Sequence, residues 1–255
     1  KIINDNYFLK KKINNDENID QLKRNGYLLL PDLIDKQSIL NFKQELKKYK
    51  GFYSSDNFKK EDIQLDLENP LTTQFHYYSK DLIEMFLVQK LLLEENILNL
   101  IQNYFKSLPI IYRINCWYNF KSIKPDASAA QYWHFDFEST KWLKVFIFLD
   151  DCNLENGPHE YIKTSHNNIP EIIRNRGYKR IKDDEVNNIF SPELKKKFIV
   201  KKGDVLIEDT IGLHKGNIVK NGRRGVLQLV FTASLFGGKN TKINIPSTKI
   251  QEFES

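Results

Sequence analysis

The chain has 255 residues, 40% hydrophobic and 13% aromatic, which is enough to bury a substantial core and too apolar for a disordered segment. Lys and Arg number 39 against 33 Asp and Glu, a net charge of +6, but the excess is spread along the chain without an aromatic-and-basic single-strand motif or a helix-turn-helix signature, so nucleic acid is not expected as a partner. Two cysteines, Cys116 and Cys152, make no disulfide framework or Cys-x-x-Cys pair, no apolar run approaches membrane-spanning length and no secretory signal is visible, so a reduced, cytoplasmic setting is expected.

Neither an internal repeat nor a Pro- or Gly-rich linker divides the chain. One domain is therefore expected over 1–255, with a helical N-terminal part to about 106, a β core over about 107–236 and a short C-terminal tail. The first helical signal follows Asp35, a suitable N-cap, where Ile39, Phe42, Leu46 and Tyr49 recur at helical spacing. A second helical stretch is predicted from about Lys80 to Phe105, on the apolar stripe that runs from Leu82 through Leu91 to Ile101 and Phe105. Beyond it the period becomes that of strands: Ile110–Phe120, Leu143–Leu149, Tyr161-Ile162 after the turn Asn156-Gly157-Pro158, then Phe198–Val200, Val205–Ile207 and Val226–Leu235. Helices first and many short strands afterwards predict helices packed on an antiparallel β sandwich or barrel.

The chemistry concentrates in the strand-rich half. His134 and Asp136 are two apart, so on an extended strand both side chains point to one face and can converge on a single ion. His214, where the strand after Gly203-Asp204 runs into a loop, is the third candidate ligand. Two histidines and one carboxylate on one face of an octahedron leave three open positions, the arrangement of non-haem iron(II) oxygenases. A His-x-Asp tripeptide alone is weak, and what strengthens it is Arg224, ten residues after His214, whose guanidinium suits the far carboxylate of a chelating keto acid. Without that context Arg223 and Arg224 would read as a basic turn after Asn221-Gly222. His76 and His159 have no carboxylate and second histidine at useful spacing, and both are read as structural or rim residues.

Six separated motifs, in order and at approximately the right spacing, resemble the phytanoyl-CoA dioxygenase family of iron(II)/2-oxoglutarate oxygenases over nearly the whole chain. They are Gly26-Tyr27 with its apolar run to Pro31, Trp133-His134-Phe135-Asp136, Ile147 to Asp151, Glu155-Asn156-Gly157-Pro158 with Ser165-His166, Gly203-Asp204 to His214, and Arg224. Thr164 stands where the family usually has glycine. The resemblance implies a double-stranded β-helix, a jelly-roll or cupin-like barrel, with the metal in its mouth. It makes His134, Asp136 and His214 the Fe(II) ligands and Arg224 the partner of 2-oxoglutarate, with Arg223 the runner-up, since a one-residue slip exchanges the two. Asn115, Trp117 and Asn119, on one face of a regular strand, would form the wall beneath the co-substrate. Lys144 interrupts an apolar strand; it either points into the mouth to meet a carboxylate of substrate or co-substrate, or snorkels at the surface.

The reaction implied is hydroxylation, with O2 and 2-oxoglutarate consumed and carbon dioxide and succinate released. Asp136 fills the position that is vacated in related halogenases. The substrate is expected to be a small metabolite, acyl or sugar-containing molecule. It would be anionic if the basic segment Arg174, Arg176, Lys179, Arg180 and Lys182 closes over the mouth as a lid, although the plainer reading of that segment is an exposed cationic helix or turn with no role. The alternatives are a non-catalytic binding module and a cupin-like metalloprotein that does not use 2-oxoglutarate. Oligomeric state is left open.

Overall fold

The computed structural model describes residues 13, 15–55, 58–127, 129–137, 141–175 and 179–235; the expected C-terminal tail and Arg176 lie outside them. In chain order the helices are α1 (Asn15–Asn25), α2 (Lys36–Leu46), α3 (Ser79–Leu82), α4 (Phe86–Leu92), α5 (Glu95–Phe105), α6 (Glu171–Arg174) and α7 (Asp183–Ile189). The strands are β1 (Tyr27–Leu30), β2 (Gly51–Ser55), β3 (Phe58–Ile63), β4 (Gln74–Tyr77), β5 (Ile110–Phe120), β6 (Trp142–Phe148), β7 (His159–Ile162), β8 (Lys195–Phe198), β9 (Val205–Glu208), β10 (His214–Gly216) and β11 (Arg223–Thr232). Eight of them form one antiparallel sheet in the order β1-β9-β6-β11-β5-β4-β2-β3, and three form a second in the order β10-β7-β8. The expected fold class holds in an open form: the two sheets do not close into a barrel.

Alternation along the central strands decides what faces what. Val145 and Ile147 of β6, Leu227 and Leu229 of β11, and Cys116 and Tyr118 of β5 turn outward into a core shared with Phe42 and Leu46 of α2 and Leu100 and Ile101 of α5. Phe146 and Phe148 of β6, Leu206 of β9 and Val226 of β11 turn inward and meet Tyr161 and Phe198 of the small sheet. Both faces of β6 are buried, as expected of a central strand covered on two sides. The polar inner residues of β11, β5 and β4, namely Arg224, Gln228, Asn115, Gln74 and His76, line a cavity of about 310 Å³ together with Trp117, which also packs against that inner cluster.

Asp35 caps α2 as expected, accepting from Ser38 N at 2.9 Å. The single helical stretch over Lys80–Phe105 is three helices, because the chain turns at Ile83–Met85 and again at Leu93-Glu94, where Glu94 accepts from Asn96 N and starts α5 afresh. The N-terminal part is not helical throughout: β1, β2, β3 and β4 all belong to the large sheet. Their sequences hide this for physical reasons. β3 is an exposed edge strand without an apolar face, and the inward side of β4 is polar because it faces a cavity.

Candidate metal centre and co-substrate pocket

The residues around His134 are extended but belong to no long strand; backbone hydrogen bonds fix them one by one. Trp133 pairs with Ile181, His134 pairs with His214 through N–H···O bonds of 3.0 and 2.9 Å, and Asp136 N donates to Thr210 O at 2.8 Å. The two histidines are thus held face to face by their own backbones. Their rings lie 4.2 Å apart, and ligand atoms of His134, Asp136 and His214 all fall within 4.8 Å of one another, the one such cluster of three among the described residues. His134 Nδ1 lies 2.9 Å from Tyr132 O, and His214 Nδ1 2.9 Å from Gly212 O. A carbonyl can only accept, so each Nδ1 carries the hydrogen and each Nε2 presents its lone pair toward Asp136, at 3.9 and 3.5 Å from the carboxylate.

The charge states match that geometry. Burial pushes the His134 imidazole well below its usual value, with the neighbouring His214 adding to the effect, and burial brings His214 down to about 4. Burial would raise the Asp136 carboxyl, but Lys144 and the two histidines outweigh it and hold it below the ordinary carboxylate range. Two neutral imidazoles and an ionised carboxylate are what a divalent transition metal requires of its ligands, and the residues present fit one.

Arg224 lines the same cavity as His134 and His214 and is 5% exposed. Its Nη2 donates to Asn119 Oδ1 at 3.0 Å and its Nη1 to Gly157 O, both neutral acceptors, and no carboxylate among the described residues pairs with it. Gly216 makes room for it: a Cβ there would sit 2.7 Å from Nη2. Register assigns the two arginines to opposite faces, with Arg224 opposite Asn119 on the inner side and Arg223 turned outward toward Glu68 and Asp150, at 3.8 and 3.9 Å. A buried, carboxylate-free guanidinium fits the far end of a dicarboxylate keto acid.

Asn115, Trp117 and Asn119 share the inner face as expected. Asn115 donates to Gln228 Oε1 at 2.8 Å, and Trp117 Nε1 donates to the same Asn119 oxygen that Arg224 uses. Lys144 also points inward, so the surface alternative is overturned, and its Nζ lies 2.6 Å from Asp136 Oδ2. His76 and His159 both line the cavity and both make structural contacts. His76 stacks on Phe52 and lines the cavity, and burial lowers it to about 4. His159 lines the cavity too, its ring 5.7 Å from that of His214, with Nε2 2.8 Å from Oε2 of the fully buried Glu208.

Glu208 was missed by sequence reasoning because it ends an apolar run. The available signal was parity, since it shares a face with the inward Leu206. Burial raises its carboxyl well above the usual value and lowers His159 to about 3. Of the basic segment, Arg174, Lys179, Arg180 and Lys182 are exposed, and the Ile181–Trp133 bridge ties it to the metal-ligand segment. Arg180 is near enough that its charge contributes to lowering His134.

An open jelly-roll sandwich in which a two-histidine, one-carboxylate cluster and a buried arginine share one cavity defines the class. The phytanoyl-CoA dioxygenase (PhyH) family model matches residues 22–224, and the chain belongs to that family. A sequence search of the curated proteins returns no match. Among solved structures, HygX from Streptomyces hygroscopicus with nickel and 2-oxoglutarate bound is 14% identical, with a TM-score of 0.64 over 92% of this chain and 93% of that one. The non-haem α-ketoglutarate-dependent epimerase SnoN from nogalamycin biosynthesis is 15% identical, with a TM-score of 0.63 over 85% and 82%. The carbocyclase SnoK from the same biosynthesis is 14% identical, with a TM-score of 0.61 over 85% and 83%. HygX has also been solved with hygromycin B, and SnoN with nogalamycin RO.

Proposed function

We propose that this protein is a single-domain, cytoplasmic Fe(II)- and 2-oxoglutarate-dependent oxygenase that hydroxylates an unactivated C–H bond of a small molecule. The observation that carries the reading is the pairing, in one cavity, of a metal-ligand cluster with a buried arginine that has no acidic partner among the described residues. His134, Asp136 and His214 would hold the metal, and Arg224 the far carboxylate of 2-oxoglutarate. Bound iron and 2-oxoglutarate together supply the oxidising power of dioxygen, with the keto acid leaving as succinate and carbon dioxide.

The chain's own groups do the rest. Neutral Nε2 atoms offer lone pairs without needing to lose a proton, and Lys144 fixes one oxygen of Asp136 so that the other keeps a set direction. Asn119 is held by Trp117 and in turn orients Arg224, which limits the co-substrate to one pose. Phe146, Ala129 and Ala130 restrict water around the reacting atoms. The presence of Asp136 supports hydroxylation over halogenation. A small-molecule substrate is supported by what HygX and SnoN hold. An anionic one is supported by Arg113 at the cavity and Arg180 nearby, with no acid but the ligand Asp136 reaching the same space among the described residues.

Anaerobic titration with Fe(II) and then 2-oxoglutarate should produce a weak visible charge-transfer band in the wild-type protein. Absence of the band at saturating concentrations would favour a non-catalytic or 2-oxoglutarate-independent metalloprotein.

A further inference from the structure

His159 and Glu208 join the two sheets across the interior, and the functional reading has so far given them no task. His159 comes from β7 of the small sheet and Glu208 from β9 of the large one, and their 2.8 Å contact closes a gap that elsewhere is filled by Phe146, Phe198 and Tyr161. Glu208 has no exposed surface, and its Oε1 has no hydrogen-bond partner among the described residues. A carboxylate so placed is kept only as part of a pair that is neutral overall. A neutral pair shares two protons in one of two ways, as carboxylic acid with neutral imidazole or as carboxylate with imidazolium. In both, with Nε2 facing Glu208, the hydrogen on Nδ1 is retained. The side of the ring left for the cavity is therefore a hydrogen-bond donor.

The position of that donor is defined. His159 lies across from Gly216 in the β10–β7 register, and Gly216 is the residue against which the Arg224 guanidinium rests. Gly157, two residues before His159, accepts from Arg224 Nη1. On its other side the His159 ring neighbours His214. His159 is thus close both to the metal-ligand residue His214 and to the stretch of backbone on which Arg224 rests.

We infer that His159, held by Glu208, is a second donor to the far carboxylate of the keto acid that Arg224 binds, and so selects a dicarboxylate over a monocarboxylate co-substrate. This rests on the functional reading above.

The test is binding of two keto acids to Ni(II)-loaded protein, followed by calorimetry or by quenching of Trp117 in the cavity wall. 2-Oxoglutarate carries the far carboxylate and pyruvate lacks it. His159→Phe keeps a ring and removes the donor; it should weaken 2-oxoglutarate roughly tenfold or more and leave pyruvate unchanged. Glu208→Met should do the same, and Glu208→Gln, whose amide can still donate to Nε2, should recover most of the loss. Equal weakening of both keto acids, or unchanged 2-oxoglutarate affinity in a folded His159→Phe, overturns the inference. Failure of the wild-type Ni(II) protein to bind 2-oxoglutarate overturns the functional reading itself, and is told apart because it precedes any variant.

Discussion

Alanine at His134, Asp136 or His214 removes one of three donors that face a cavity and leaves the hydrophobic core intact. Each variant is expected to lose Ni(II) or Fe(II) binding and turnover while keeping the wild-type far-UV circular dichroism spectrum; near-normal activity in any one would remove that residue from the site. Arg224→Ala should raise the 2-oxoglutarate requirement by an amount equivalent to about 2–5 kcal/mol, the loss expected when a buried charge-assisted pair is cut. Arg223→Ala, on the outer face, should change it by no more than ~0.5 kcal/mol. His76 provides a pH signature: its imidazole titrates near 6.5 when unfolded and near 4 when folded, so between these values only the unfolded state takes up a proton. Stability is therefore full above 6.5 and is lost as pH falls toward 4, and His76→Phe, which can still stack on Phe52, should flatten that slope in denaturation curves recorded across the range. The proposed triad and Arg224 could be picked out in the sequence because six separated motifs carry the family resemblance, with the two-residue spacing of His134 and Asp136 and strand parity in support. His159 with Glu208 could not, because the pair joins two strands 49 residues apart that only the stacking of the sheets brings together, and the Lys144–Asp136 bond could not, because the irregular fold of the metal segment decides it.

Between single residues and the whole molecule, the connections hold the site in register. The segment from β9 to His214 is pinned by Asp209 N to Gly26 O at 2.9 Å, by Tyr161 and Tyr104 on Asp209, each at 2.7 Å, and by Trp142 on Thr210 at 2.8 Å. Gly26 is required there both by its φ of +83° and because a Cβ would meet the Tyr161 hydroxyl at 2.3 Å. Thr164, at the position where the family motif carries glycine, adopts a φ of +69°, which a β-branched residue tolerates poorly. Thr164→Gly is expected to raise stability by about 1 kcal/mol in urea titration, since its backbone N–H to Asn25 O needs no side chain. The strands over Ile110–Phe120 and Leu143–Leu149 were legible to within a residue from their aromatic and β-branched content. The breaks in the Lys80–Phe105 stretch were not, because the apolar stripe continues across them and the chain turns there without glycine or proline.

At the scale of the molecule, the exposed basic segment lies beside the metal-ligand strand, and its charges act through solvent. Replacing Arg174, Arg176 and Arg180 together by glutamine should weaken binding of an anionic substrate most at low salt, where screening is least, and leave substrate-free 2-oxoglutarate consumption unchanged. Normal hydroxylation by the triple variant at every ionic strength would make the segment plain surface. The layered architecture was legible in outline, as helices against an antiparallel sandwich, whereas the polar face of β4 and the exposed β3 concealed how far the large sheet extends. The strand order carries a further consequence. β11 is the last strand among the described residues, yet it lies between β5 and β6, which pair with it and not with each other. While the polypeptide is being synthesised, both of these apolar strands must wait with one edge open, and the arginine reaches its place only when β11 is inserted between them. Assembly is therefore late, dominated by long-range pairing, and most prone to intermolecular strand pairing in the interval before β11 leaves the ribosome.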